Sequence, residues 1–319
     1  MNKKMIVTAA AVVLFALSSC VGNNAPFNMT ENPTSYVCIP DMESVPVDDS
    51  QTEPLSSEDA GYLYVEFIDV GQGDAILVYD EGGNTMLIDT GVYSMYNQLD
   101  AYLSEAGISK IDYLMLTHPD ADHIGSADYI LADYDVKQVL VPDCTDDTAT
   151  YRYYTEARDN SMTEEVIVHA GDRFKLGDAD ITILAPDNEN TCRDKNSHSV
   201  VAKLTYGESS FLFTGDLTGE ETADIINAGY DVSADVYKVA HHGSANDGCN
   251  SQSFLMQVDP EYAVVSCGNG NRYGHPHEET VSYFDEADIP LFRTDENGTI
   301  YCRTDGHSYE WSCSKGELQ

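Results

Sequence analysis

Positive charge is scarce in this chain: 16 Lys and Arg stand against 55 Asp and Glu, a formal net charge of −39 over 319 residues. No Lys/Arg cluster occurs along it, and a protein that grips nucleic acid tightly needs a basic face. No stable nucleic-acid complex is therefore expected, and a polyanionic substrate would have to be held by a few local groups. The acidity reads as solubility at a cell surface. Cys-x-x-Cys spacing is absent, which argues against a cysteine zinc site. No repeat of fixed period marks a solenoid, although the two strand-rich halves could be pseudo-duplicates. Long apolar runs are missing too, except for one at the start.

That run sets the compartment. Asn2-Lys3-Lys4 is a short basic region, and Met5 to Leu17 is apolar but shorter than the ~20 residues of a spanning helix. Leu17-Ser18-Ser19-Cys20 then places small residues before a cysteine. Residues 1–20 read as a secretory signal of the lipoprotein kind. The stretch looks like a bacterial lipobox, which implies cleavage before Cys20 and lipidation of its thiol. An ordinary signal peptide and an uncleaved anchor are the alternatives. The mature chain is expected to be exported, soluble and tethered to the membrane, at the cell surface or in the periplasm. Residues 21–60 carry Asn, Pro, Ser and acidic residues with no apolar period. They read as a disordered linker that cannot bury enough surface to offset its ordering entropy. A single folded domain is expected over residues 61–319, long enough for one sizeable core.

Of the 8 cysteines, Cys20 is assigned to lipid and seven remain. In an exported protein some should pair. Cys302 and Cys313 flank Arg303-Thr304-Asp305-Gly306-His307-Ser308, which reads as a C-terminal hairpin turn, and are the favoured disulfide. Cys144 with Cys192 and Cys249 with Cys267 are the other pairings, and Cys38 in the linker is the odd one.

Strand and helix patterns alternate, which argues for layered α/β structure. Strands are expected at 62–68, 75–79, 85–88, 111–116, 138–141, 180–184, 200–204, 211–213, 236–240 and 262–266. Helices are expected at about 95–105, 126–132, 219–228 and 278–286. Polar clusters sit at the strand ends. Thr117-His118-Pro119-Asp120-Ala121-Asp122-His123 follows an apolar strand and packs four potential ligands into six residues. Imidazole and carboxylate together suit Zn, Mn or Fe. Asp69, Asp89-Thr90-Gly91, Thr214-Gly215-Asp216 and His241-His242-Gly243-Ser244 end other strands, and His198 precedes one. Any one of these is a common turn sequence. As a set, gathered where strand ends form a crevice, they point to a site.

His-x-Asp-x-Asp-His, then Thr-Gly-Asp, then His-His-Gly-Ser, in that order, resembles the metallo-β-lactamase superfamily. Phe67-Ile68-Asp69-Val70-Gly71-Gln72-Gly73-Asp74-Ala75, Leu87-Ile88-Asp89-Thr90-Gly91 and Arg272-Tyr273-Gly274-His275-Pro276-His277 are similar to the hydrolase domain of ComEC-type competence proteins and their stand-alone relatives. The resemblance runs from about Tyr62 to Asp305. It implies a four-layer αββα sandwich with two divalent ions, Zn or Mn, at one sheet edge. It assigns His118 and Asp120 to one ion, Asp122 and His123 to the other, and Asp216 to both. It gives His241 or His242 to the second site, with His241 preferred because it directly follows the strand, and offers His198 to the first. Asp120 stands where the superfamily more often has His. That hardens the first site toward Mn²⁺ and argues against β-lactam hydrolysis.

The chemistry so implied is attack by a hydroxide bridging two cations, with Asp122 or Asp216 orienting it and His275 donating to a phosphate oxygen or the leaving group. The expected activity is hydrolysis of phosphodiester bonds in nucleic acid, nucleotides or a cell-wall polymer. Ester or lactone hydrolysis on the same site is the second reading. The third is a surface lipoprotein that binds metal or a ligand without turnover.

Overall fold

The computed structural model describes residues 61–187, 192 and 194–318, with only the backbone at position 247. The expected lipidation at Cys20, the linker and Cys38 lie outside the described residues. Among those residues, no helix is long and apolar enough to cross a membrane.

In chain order the elements are β1 Leu63–Phe67, β2 Ile76–Asp80, β3 Thr85–Ile88, α1 Tyr96–Glu105, β4 Lys110–Met115, α2 Ala127–Asp133, β5 Asp135–Val141, α3 Ala149–Ser161 and β6 Glu164–Ile167. There follow β7 Arg173–Leu176, β8 Ala179–Ala185, β9 Val201–Tyr206, β10 Ser209–Phe213, α4 Gly219–Asn227, β11 Val236–Lys238, α5 Gln252–Val258, β12 Tyr262–Val265, α6 Glu278–Ala287, β13 Leu291–Arg293, β14 Ile300–Thr304 and β15 Tyr309–Cys313. One sheet runs β15-β14-β1-β2-β3-β4-β5-β6 and the other β13-β12-β11-β10-β9-β8-β7. Each half begins as an antiparallel meander and ends as parallel strands joined through helices.

Side-chain alternation makes the layers. Ile76 and Val78 of β2, Met86 and Ile88 of β3, Phe211 and Phe213 of β10 and Val264 of β12 meet in one core between the sheets. Leu77, Leu87, Ile111 and Leu114 point to the other face, where they pack with Leu99 and Leu103 of α1, Ile130 of α2 and Tyr154 of α3. Leu212, Tyr237 and Ala263 face outward on the second sheet onto Ile225 of α4, Phe254 and Leu255 of α5 and Phe284 of α6. Three apolar interfaces separate four layers, so the fold is the αββα sandwich.

The disulfide pattern corrects one expectation. Cys144 and Cys192 are bridged, with Cα atoms 5.3 Å apart. Cys302 and Cys313 are not. In the antiparallel pair, Cys302 stands opposite Trp311 and Cys313 opposite Ile300, so the two cysteines are diagonal neighbours. Diagonal positions lie ~7–8 Å apart, beyond the ~3.8 Å between Cβ atoms that a disulfide needs. Cys249 and Cys267 are not bridged to each other either.

Candidate metal centre

The parallel strands β3, β4, β10, β11 and β12 deliver their carboxyl ends to one edge of the sandwich, and the polar clusters follow them directly. His118 and His123 come from the segment after β4, Asp89 from the end of β3, Asp216 from the turn after β10, and His241 and His242 from the turn after β11. The turns are tight. A Cβ on Gly215 (φ +49°) would stand 2.9 Å from Thr117, so only glycine lets Asp216 approach the β4 end this closely. His241 and His242 both have positive φ, 48° and 54°, a conformation that costs non-glycine residues of order 1–3 kcal/mol and clusters at functional sites. It is held by His241 N–H donating to Gly215 O at 3.0 Å and Ser244 N–H donating to His241 O at 2.8 Å.

Asp216 stands at the centre, almost wholly buried. Its Oδ1 lies 3.2 Å from His123 Nε2 and 3.5 Å from His242 Nε2. Its Oδ2 lies 3.9 Å from His118 Nε2 and 3.7 Å from His241 Nε2. Asp120 Oδ2 is 3.7 Å from His118 Nε2, and Asp122 Oδ2 is 3.5 Å from His242 Nε2. The structure therefore gathers His118, Asp120, Asp122, His123, Asp216, His241 and His242. His242, rather than the favoured His241, joins Asp122 and His123 in a group with ligand-like spacing. His241 sits on the His118 side of Asp216.

His198 takes a different place. It is buried at the end of the turn Asn196–His198 and belongs to none of the ligand groups found among the described residues. Burial lowers its pKa, and the carboxylate acting on it is Asp143. His275 is nearly buried, its ring centroid 5.5 Å from that of His241 and 6.2 Å from that of His242. Burial, then the neighbouring imidazoles of His242 and His241, push its pKa down to about 4, so it stands neutral with Nδ1 unpartnered. Asp69 forms a turn instead, its Oδ1 accepting from Gly71 N–H at 3.1 Å.

The residues fit a divalent cation. His242 Nδ1 lies 2.9 Å from Ser266 O, and a carbonyl only accepts, so the proton is on Nδ1 and Nε2 presents its lone pair. His123 Nδ1 donates to Asp89 Oδ2 at 2.7 Å. Thr117 Oγ1 donates to the same Oδ2 at 2.6 Å, which leaves it to accept from His118 Nδ1 at 3.1 Å. Three imidazoles are thus oriented through Nδ1, the arrangement that fixes metal-binding histidines. Their Nε2 atoms and Asp216 Oδ1 are buried with no hydrogen-bond partner, a costly state unless something fills it. Without a cation these carboxylates attract protons. Burial opposes charge on His123 and His242, yet Asp216 with Asp89 holds His123 well above the usual histidine range, and Asp216 with Asp122 and Asp74 lifts His242 to about 10. Burial likewise opposes charge on Asp216, but His242, His123 and His118 keep it ionised far below the carboxylate range. The same field would hold a divalent ion, whose binding would release those protons.

Sequence reasoning left three contributors without a role. Asp74 and Lys238 form a buried ion pair at 2.8 Å beneath the site. Lys238 is the one charge in Val236-Tyr237-Lys238-Val239-Ala240, and a lysine inside an otherwise apolar strand was the available signal. Lys195 binds Asp120 Oδ1 and, at 2.8 Å, Asp146. It follows Cys192 closely, in the segment that the disulfide ties to the β5–α3 loop. Beside His118 and Pro119 a cavity of about 290 Å³ opens, lined also by Cys144, Tyr151, Tyr154 and Arg158.

A family model described as the metallo-β-lactamase superfamily matches residues 68–268. The chain belongs to the metallo-β-lactamase superfamily. Within it the chain is ComEC-like. It is 33% identical to ComE operon protein 3 of Bacillus subtilis (strain 168) over 259 residues, 75% of this chain and 33% of that protein. It is 31% identical to competence protein ComA of Neisseria gonorrhoeae over 236 residues, 73% of this chain and 31% of that one. The chain thus spans about a third of the length of these relatives. Among solved structures it shares its fold with a metallo hydrolase from the hyperthermophilic archaeon Ignicoccus hospitalis, at TM-score 0.51 and 17% identity over 75% of this chain and 98% of that one. The chain is hydrolase-like by its family, and it carries candidate ligands for divalent metal.

Proposed function

We propose that the chain hydrolyses phosphodiester bonds at a two-ion centre. One observation carries the reading: Asp216 turns one carboxylate oxygen to His123 and His242 and the other to His118 and His241. His118, Asp120 and His241 would hold one ion, and Asp122, His123 and His242 the other, with Asp216 shared. Divalent cations held there supply Lewis acidity and bring the pKa of water close to neutral.

The chain's own residues do the rest. Asp122, half-buried beside His242, accepts a hydrogen bond from the attacking water and aims it. His275 donates an N–H to a substrate oxygen or to the departing alkoxide. Two cations flank the ligands in a chain that has few: Lys195 on Asp120, and Arg272, whose guanidinium lies 4.7 Å over the Tyr273 ring and within electrostatic reach of Asp122. They suit a small phosphate group better than a long polyanion. The relatives' names refer to competence, which brings nucleic-acid phosphodiesters among the candidates, beside nucleotides and wall polymers. Manganese or zinc fits the mixed imidazole and carboxylate set.

The test compares bis(p-nitrophenyl) phosphate with p-nitrophenyl acetate and a lactone, using the full chain in detergent with no metal, Mn²⁺ or Zn²⁺. The diester should be turned over only with metal, and Asp122→Ala should abolish it. Hydrolysis of the acetate or lactone alone would replace this reading with esterase chemistry. Binding without turnover of any of the three would leave a metal-binding lipoprotein.

We further propose that the chain is exported and anchored through Cys20, from the signal-like residues 1–20. Labelled palmitate should enter the wild type and not Cys20→Ser. Equal labelling of both would refute the anchor.

A further inference from the structure

The turn Gly71-Gln72-Gly73-Asp74 takes no part in the reaction above, yet Asp74 reaches both elements that carry the second ligand group. Its N–H donates to Asp122 O at 3.2 Å, and its own carbonyl accepts from Gly91 N–H at 2.8 Å. The approach is so close that a Cβ on Gly73 (φ +134°) would fall 2.2 Å from Asp122 O. The Asp74 side chain is 2% exposed and that of Lys238 0%, with Lys238 Nζ 2.8 Å from Asp74 Oδ2. Asp74 Oδ1 has no hydrogen-bond partner and lies 3.5 Å from His242 Nδ1. Asp74 belongs to the first half of the chain and Lys238 to β11 in the second, three residues before His241.

A buried ion pair is a poor source of stability, because desolvating both charges offsets most of their attraction. Its presence here asks for another reason. We propose that Asp74, fixed by Lys238, is the positioning residue of the second ligand group. It holds the Asp122 loop through its backbone and His242 through the Nδ1 side of the ring, so that both present their donor atoms to one point. The inference rests on the two-ion reading. Asp74 is not itself a ligand in it: the Lys238 ammonium already occupies Oδ2, and Oδ1 faces Nδ1 of His242, whereas Nε2 faces Asp122 and Asp216. The Nδ1 proton is donated to Ser266 O at 2.9 Å, and the Asp74 carboxylate 3.5 Å away sets a negative charge beside it, which favours the Nδ1–H form and strengthens Nε2 as a donor.

Asp74→Asn alone strands the Lys238 charge in the interior and is expected to fold poorly. The double variant Asp74→Asn/Lys238→Met removes both charges at similar volume. The experiment is calorimetric titration of metal-free full chain with Mn²⁺ and, separately, Zn²⁺, beside thermal unfolding without metal. The double variant should unfold as the wild type does and bind one ion with unchanged affinity. The second ion should bind roughly 10–100-fold more weakly. Two ions at wild-type affinity, or equal weakening of both, would overturn the inference. So would a double variant that does not fold, since the pair would then serve the fold and not the site. Fewer than two ions on the wild type would overturn the two-ion reading itself, and this inference with it.

Discussion

Each of the three best-placed imidazoles has its Nδ1 proton engaged by a neighbour, Asp89 for His123, Thr117 for His118 and Ser266 for His242. This orientation is where single substitutions should be felt. Asp89→Asn is expected to lower metal affinity by roughly 10–100-fold with the fold intact, since outer partners of metal-binding histidines act at that scale. A competition titration with a chromophoric chelator reads it, and unchanged affinity would remove Asp89 from the site. His275→Ala should keep the metal content and lower turnover of a diester by roughly 10²-fold, the scale for losing one hydrogen-bond donor to developing negative charge. Metal loss in that variant would make His275 a ligand instead. The gathering of His118, Asp120, Asp122, His123 and Asp216 was legible because their residue types and spacing suit a metal-ligand set. Asp74, Lys238 and Lys195 were not, because their importance lies in contacts between segments far apart in sequence.

Elements were legible where an apolar face repeats. β3, β4 and β10 carry such faces, and so do α4 and α6. β6 (Glu164-Glu165-Val166-Ile167) and β7 (Arg173-Phe174-Lys175-Leu176) escaped because they are sheet-edge strands with half their residues charged. α3 escaped because Tyr154 is its one buried residue. α4 carries a burden of its own. Glu221, in its first turn, is nearly buried and receives a hydrogen bond from Thr218 Oγ1 at 3.1 Å. Burial, then Asp224 and Glu220, lift its pKa from 4.5 to about 7. A carboxyl raised on folding leaves stability unaffected below pH 4.5, where both states hold the proton. It costs more as pH rises to about 7, and the full amount above that. Glu221→Gln should therefore raise the unfolding temperature more at pH 8 than at pH 5, and an equal shift at both would contradict the assignment. The Cys144–Cys192 bridge closes a 48-residue separation, for which loop entropy gives about 4 kcal/mol. Cys144→Ser/Cys192→Ser should lose most of that in denaturant unfolding. No change would show that the bridge does not constrain the unfolded chain.

At the scale of the molecule, two halves of like topology each contribute candidate ligands to one edge. His118, Asp120, Asp122 and His123 come from the first, and Asp216, His241 and His242 from the second. The centre thus exists only when the sheets face one another. The four-layer order could be inferred from motif order, but not the meeting of the halves through Asp74 and Lys238. On the proposed reading, the net charge of −39 disfavours long polyanions, and Lys195 and Arg272 offer a small anion two local cations. The most direct test is turnover of bis(p-nitrophenyl) phosphate by metal-free full chain as Mn²⁺ is added in measured equivalents, beside Asp216→Asn. Activity should rise through the second equivalent and level off, and the variant should stay inactive at every ratio. Two ions bound with no turnover, or an active Asp216→Asn, would contradict a reaction centred on the shared carboxylate.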